Sequence, residues 1–303
     1  MKLKRLFCFI MVLVIMLALV GCDDITDDHP NDNVVQTDTP PVKQAYPVDI
    51  GAESFDKAPV TVASLSPALT EAMNDIGAFD RLIAVSEYCS WPSDANDLPE
   101  IGNAAHPDID AIKALMPELV ITHSPIASSD KVVLNQAGIR VLELKSPDSF
   151  AELCQMYIQL SLIFYGAVDS QSVATDILAD FDSAMSEAKA ANISVSFVCV
   201  EGINSQGELI LSHGKTLESD ILSVFGTNLR EDSEEYFVNE DELSVLSPDV
   251  VFYNSELDDD SDASDLIIEA FGSAEYIAIE IADFERPTVR LAETVRFLLA
   301  ELS

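Results

Sequence analysis

The sequence predicts an α/β protein with parallel sheets covered by helices on both faces, arranged as two similar halves. Three observations carry that prediction. Short β-rich runs alternate with helical segments at the spacing of strand–helix–strand units. The stretch Ser149–Ala191 breaks this rhythm: it holds no proline and a single glycine, Gly166, and reads as two helices. Finally, Asp110–Val120 is echoed by Asp241–Val251, each reading acid, short helix, proline, acid, strand.

The elements follow in order. Val60–Leu65 is a strand, and Ser66-Pro67 behind it is a helix start, with serine to cap and proline at the first helical position. Glu71 is expected in the first turn, where it would complement the helix dipole. Leu69, Met73 and Ile76 continue at helical spacing, and Leu82–Val85 is a second strand. Ile109–Leu115 is helical and stops before Pro117, Leu119–Thr122 is a strand, Val132–Ala137 a helix closed by Gly138, and Arg140–Leu144 a strand. Within 149–191, Leu153, Tyr157, Leu160 and Phe164 mark one helix and Val173, Ile177 and Phe181 a second, about 30 Å long, which could span two lobes. Alternation then resumes with strand Ser194–Val200, helix Thr216–Phe225, strand Val250–Tyr253, helix Ala263–Phe271, strand Tyr276–Ile281 and a closing helix Thr288–Leu302.

The N-terminal segment has a different character. Lys2, Lys4 and Arg5 precede the apolar run Leu6–Val20, which is shorter than the roughly 20 residues a spanning helix needs. The run ends in Leu19-Val20-Gly21-Cys22, followed by Asp23 and Asp24. Residues 1–21 are therefore expected to be a signal peptide. Residues 22–57, rich in Asp, Asn, Thr and Pro and without periodic apolar positions, read as a disordered tether. The domain boundaries that follow are 58–147 for an N-terminal lobe, 148–191 for connecting helices and 192–303 for a C-terminal lobe.

A formal charge of −37 over 303 residues excludes nucleic acid and anionic lipid head groups as partners. Of five cysteines, Cys8 leaves with the signal and Cys22 is a candidate for acylation, so Cys89, Cys154 and Cys199 remain and are expected as buried free thiols, with one disulfide as the alternative. No Gly-x-Ser-x-Gly elbow, His-Glu-x-x-His helix or glycine-rich phosphate loop is present, which argues against an enzyme.

Two resemblances sharpen this reading. The segment around Cys22 resembles the lipobox of bacterial lipoproteins, implying cleavage before Cys22 and its lipidation, with the chain held at the outer face of the cytoplasmic membrane. Ser64-Leu65-Ser66-Pro67, Thr70-Glu71, Ser86–Pro92, Pro99–Asn103 and the Asp110 block match in order and spacing the substrate-binding lipoproteins of ABC importers for cobalamin, iron-siderophores and haem. The Gly214-Lys215 turn, the Asp241 block and Glu285-Arg286-Pro287 extend the match more loosely to the C-terminus. The resemblance implies two Rossmann-like lobes joined by a rigid helical backbone, the ligand in the cleft between them, and a capture protein that does no chemistry and has no resident cofactor.

It also implies one acidic residue on each lobe that docks onto arginines of a permease dimer, itself served by an ATPase. By position these are Asp110 and Asp241, with Asp108, Glu240 and Glu242 close enough to substitute; each aspartate could equally cap its helix. Loops that follow strands should line the cleft, which selects Ser66, Tyr88, Trp91, His106, His123 and His213 as ligand-binding candidates. The alternatives are direct zinc or manganese binding through the three histidines, as in a related importer class, and a surface sensor or adhesin using the same fold.

Overall fold

The computed structural model describes residues 45–303, so the expected signal peptide, Cys22 and most of the tether lie outside the described residues. The described residues belong to a single compact unit. The remainder of the tether, from Ala45 on, needs correction. Val48–Ile50 (β1) and Glu53–Phe55 (β2) pair as an antiparallel hairpin, and Val48, Ile50 and Phe55 are buried. Three alternating apolar positions suffice to seat this hairpin, and an averaged composition hides them.

Two parallel sheets follow. In the N-terminal lobe Val62–Ser64 (β3), Leu82–Ala84 (β4), Leu119–Thr122 (β5) and Arg140–Glu143 (β6) stand in the order β4-β3-β5-β6. Pro67–Asp75 (α1), Ile109–Leu115 (α2) and Ser128–Gln136 (α3) connect them. The C-terminal lobe consists of Val195–Ile203 (β7), Leu209–Leu211 (β8), Gly226–Asn228 (β9), Val250–Asn254 (β10) and Glu275–Ile279 (β11). Its parallel strands run β9-β7-β10-β11, and β8 pairs antiparallel with the far end of β7. The C-terminal lobe therefore repeats the N-terminal strand order, with β8 as the added piece. Leu217–Leu222 (α5), Glu240–Leu243 (α6) and Ser261–Phe271 (α7) correspond to α1, α2 and α3 in this order. The sequence echo thus places Asp110 on α2 and Asp241 on α6 at equivalent points.

Phe150–Ala191 (α4) joins the lobes as two helical arms that meet at Gly166, whose φ of 69° and ψ of 179° no helix accommodates. Tyr157, Leu160, Ile163 and Phe181 of α4 are fully buried in the core it shares with both lobes. Ile281–Glu285 (α8) and Leu291–Glu301 (α9) close the chain, with α9 packed along α4.

Local chemistry accounts for most helix starts. Ser66 caps α1 through its Oγ, which accepts from the Leu69 amide at 3.3 Å, and Pro67 occupies the first helical position. Thr216 caps α5 in the same way, and Ser149 caps α4. Glu71 departs from expectation: it lies beyond the first turn and is buried, turned toward Arg290 rather than toward the helix dipole.

Candidate functional site

The C-terminal ends of β3 and β5 and the loops behind them face residues of α8 across a cavity of about 540 Å³. Ser66 and Pro67 at the start of α1, Tyr88, and His123–Pro125 form the N-terminal side, and Glu285 and Arg286 close it from the C-terminal lobe. Strand ends converge there because parallel strands deliver all their following loops to one edge of the sheet.

The structure brings three of the six ligand-binding candidates to that cavity: Ser66, Tyr88 and His123. Tyr88 is exposed, and Glu87 beside it pushes its hydroxyl pKa upward by hydrogen bond and charge. His123 has a structural role as well. Its Nδ1 stands 3.0 Å from the Leu144 carbonyl, which can only accept, so Nδ1 carries the proton. Burial holds the ring neutral by lowering its pKa, and Nε2 is sealed from solvent without a partner.

The other three candidates fall outside this lining. Trp91 is partly exposed, and the guanidinium of Arg290 lies 5.5 Å from its ring centroid. His106 is exposed at the end of a turn in which Asn103 Oδ1 accepts from its amide at 2.9 Å. His213 is buried in the C-terminal lobe, its ring 4.5 Å from that of Tyr236 and its Nδ1 accepting from the Lys215 amide. Among the described residues, no group of three or more His, Cys, Asp or Glu side chains is arranged to hold a metal ion.

The docking candidates are exposed. Asp110 is 95% exposed at its side chain and, among the described residues, pairs only with Lys113, at 3.2 Å. Asp108, not Asp110, caps α2, its Oδ1 accepting from the Ala111 amide at 2.9 Å. Asp241 is exposed, and Asn239 supplies the side-chain acceptor at the start of α6 through the Glu242 amide. Glu242 is committed elsewhere, to the buried Arg230 at 3.1 Å. Of the three free thiols, Cys89 and Cys199 are buried and Cys154 is half-buried, with burial raising its pKa to about 11.

Several contacts of the inter-lobe region carry no sequence signal. Arg290 on the C-terminal side pairs with buried Glu71 of α1 at 3.2 Å, and Arg286 donates to Ser90. Glu201 at the end of β7 stands beside buried Glu218 of α5, and desolvation with the nearby charges of Glu218 and Glu285 raises its pKa to about 8. Burial pushes the Tyr236 hydroxyl pKa upward, and the negative charges of this pair and of Asp148 add to the rise. Glu285-Arg286-Pro287 could have been found as cavity residues from their place in the motif. The Glu201–Glu218 pair could not, because one lies on β7 and the other on α5, and only the folded chain brings the two together.

Known proteins give a consistent picture. The profile of the family described as periplasmic binding protein matches residues 62–234. An uncharacterised ABC transporter substrate-binding lipoprotein of Bacillus subtilis is 27% identical over 158 residues, covering 50% of this chain and 48% of that protein. A vitamin B12-binding protein of Vibrio campbellii is 38% identical over 101 residues, covering 32% of this chain and 36% of its own length. The chain thus spans half or less of the length of these curated relatives. Among solved structures, the periplasmic vitamin B12 binding protein of Vibrio cholerae superposes with a TM-score of 0.66 at 21% identity, covering 80% of this chain and 96% of that one. The periplasmic haem binding protein of the same organism gives 0.67 at 16% identity, covering 79% and 98%. These likenesses establish the two-lobed α/β fold.

Proposed function

The chain belongs to the periplasmic binding protein family, and from that premise we propose that it captures an iron-siderophore, haem or cobalamin outside the cytoplasm and delivers it to an ABC permease. The observation that carries this reading is the cavity bounded by both lobes, with Glu285 and Arg286 facing Ser66, Tyr88 and His123. A pocket made by two rigid bodies around a helical backbone suits capture and release of a bulky chelate. The names of the relatives, which include vitamin B12-binding and haem-binding proteins, support the same ligand classes.

The remaining parts of the reading follow. Cys22 anchors the chain by lipid to the outer face of the cytoplasmic membrane. Asp110 and Asp241, exposed at equivalent points of the two lobes, meet cationic residues of the permease dimer. The protein binds and performs no turnover. The zinc or manganese alternative has no observation in its favour, since His106, His123 and His213 stand in three separate settings.

Trp91, the single tryptophan, stands near the inter-lobe contacts of Arg290 and reports on them. Titrating cyanocobalamin, haemin and a panel of ferric siderophores into purified protein should quench its fluorescence for one class, with micromolar or tighter affinity. If none of these ligands changes the fluorescence or the melting temperature, or if a stoichiometric zinc or manganese ion survives dialysis, the reading fails.

A further inference from the structure

The two lobes repeat one framework, and Asp241 of the matched pair Asp110 and Asp241 borders a groove. Asp241 lies on the rim of a cavity of about 640 Å³ on the C-terminal lobe. Its floor is the buried pair Leu209 and Val238, and its walls include half-buried Leu243 of α6 and Leu266 of α7. Gly207 and Glu208, from the turn that leads into β8, complete it. Among the described residues the N-terminal sheet has no counterpart of β8, the strand whose start supplies this wall beside Asp241.

The groove is held in shape from below. The Arg230 side chain is 1% exposed and donates to the carbonyls of Leu211, Glu235, Tyr236 and Phe237 and to the Glu242 carboxylate. These bonds fix the loop that carries Val238 on one side and the start of α6 on the other. Such pre-ordering removes much of the entropic cost of seating a partner. Phe237 and Val245, 58% and 76% exposed, extend the apolar surface of the same segment.

Charge decides what can sit there. Among the described residues Glu208 and Asp241 are the charged members of the lining, and no lysine or arginine contributes to it. A second copy of this chain, at −37 with so few cations, would bring like charge to the rim. We infer that this groove seats a short segment of the importer's membrane subunit in which an apolar side chain lies beside an arginine or lysine. The inference rests on the capture-and-delivery reading and adds to it an unequal pair of contacts. The N-terminal lobe meets the permease by charge alone, and the C-terminal lobe by charge and a buried apolar side chain.

Photo-crosslinking in native membranes tests this with the full-length lipoprotein. A benzophenone amino acid is placed at Leu266, at Leu243 as a second groove position, and at Asp110 as a reference. Labels at Leu266 or Leu243 should yield an adduct with an integral membrane subunit of an ABC importer. That adduct should persist at 0.5 M salt, where the Asp110 adduct falls at least about fivefold, because exposed charges are screened and apolar burial is not. If Asp110 captures the membrane subunit and neither groove position does, or if the groove positions capture only a second copy of this chain or a soluble protein, the groove inference is overturned while the delivery reading stands. If no position captures a membrane subunit, the delivery reading itself is overturned.

Discussion

The carbonyl of Ala45 accepts a hydrogen bond from the amide of Ala167 at 2.7 Å, in the place an intact helix would give to Ile163. The carbonyl of Ile163, freed by the break at Gly166, is taken in turn by the hydroxyl of Tyr46 at 2.9 Å. Two residues at the start of the described chain thus satisfy two backbone groups that the kink in α4 leaves open. An orphaned backbone group in this setting costs on the order of 1–3 kcal/mol.

Gly166 makes the arrangement possible. An added Cβ would come within 2.4 Å of the Ala45 carbonyl oxygen, and its φ of 69° disfavours any other residue. Gly166→Ala should therefore lower stability by at least about 2 kcal/mol, from strain and from loss of the Ala45 contact. Tyr46→Phe should cost about 1 kcal/mol by leaving the Ile163 carbonyl unpaired. Urea denaturation measures both, and proteolysis near Ala45 should quicken in Gly166→Ala. An unchanged midpoint in Gly166→Ala would show that the kink is not held by this segment.

Tyr157 makes a second junction, this time among three parts of the chain. Its hydroxyl donates to Asp75 Oδ2 of α1 at 2.6 Å and accepts from the Val289 amide before α9 at 3.1 Å. Burial raises the pKa of Asp75, and the hydrogen bond from Tyr157 works against that rise. Tyr157→Phe keeps the ring and strands both partners, so it should destabilise by about 2–3 kcal/mol. Asp75→Asn, which can still accept from the hydroxyl, should cost less. Comparing the two by thermal unfolding at one pH separates the hydrogen bond from the packing.

Much of this fold is legible in the sequence because its signals are local. Ser66-Pro67 starts α1 by capping chemistry contained in the four residues Ser66 to Leu69, and the Asp110 and Asp241 blocks announce the repeat without reference to anything distant. The hairpin β1–β2, strands β8 and β9 and helix α8 are too short to leave a period, and β8 and β9 form because β7 offers them a free edge. The site divides along the same line. Ser66, Tyr88 and His123 follow strands and reach the cavity, whereas His213 lies on the loop after β8, turned against Tyr236. Glu71 was legible as part of a motif, but its partner Arg290 is far along the chain, and its burial depends on that pairing.

Asp110 and Asp241 invite charge reversal. Asp110 makes one exposed pair with Lys113, which contributes little to folding. Exchanging both aspartates for lysine should leave ligand affinity within about twofold and reduce uptake by at least tenfold, since like charges across an interface slow and misdirect encounter. Uptake is measured with labelled ligand in cells carrying the variant as their sole copy. Normal uptake would assign docking to another surface.

The Glu201–Glu218 pair predicts how stability responds to pH. Oε1 of Glu201 finds no donor unless one carboxyl of the pair is protonated, and Glu218 is buried against it. Glu285 adds like charge, Arg230 opposes it weakly, and desolvation dominates, so that Glu201 is lifted to about 8 in the folded protein. The unfolded chain titrates near the ordinary glutamate value of about 4.3. Between these values the folded state holds a proton that the unfolded state has released, so stability falls as pH rises across that window and levels off above it. Glu201→Gln removes this titration while keeping the size and a donor for Glu218. Its unfolding free energy should therefore decline less than wild type between pH 5 and 9, and its advantage should be largest at pH 9. Chemical denaturation across that range provides the measurement. Parallel curves for the two proteins would mean that Glu201 is ionised in the fold at neutral pH, and that the pair is separated rather than sharing a proton.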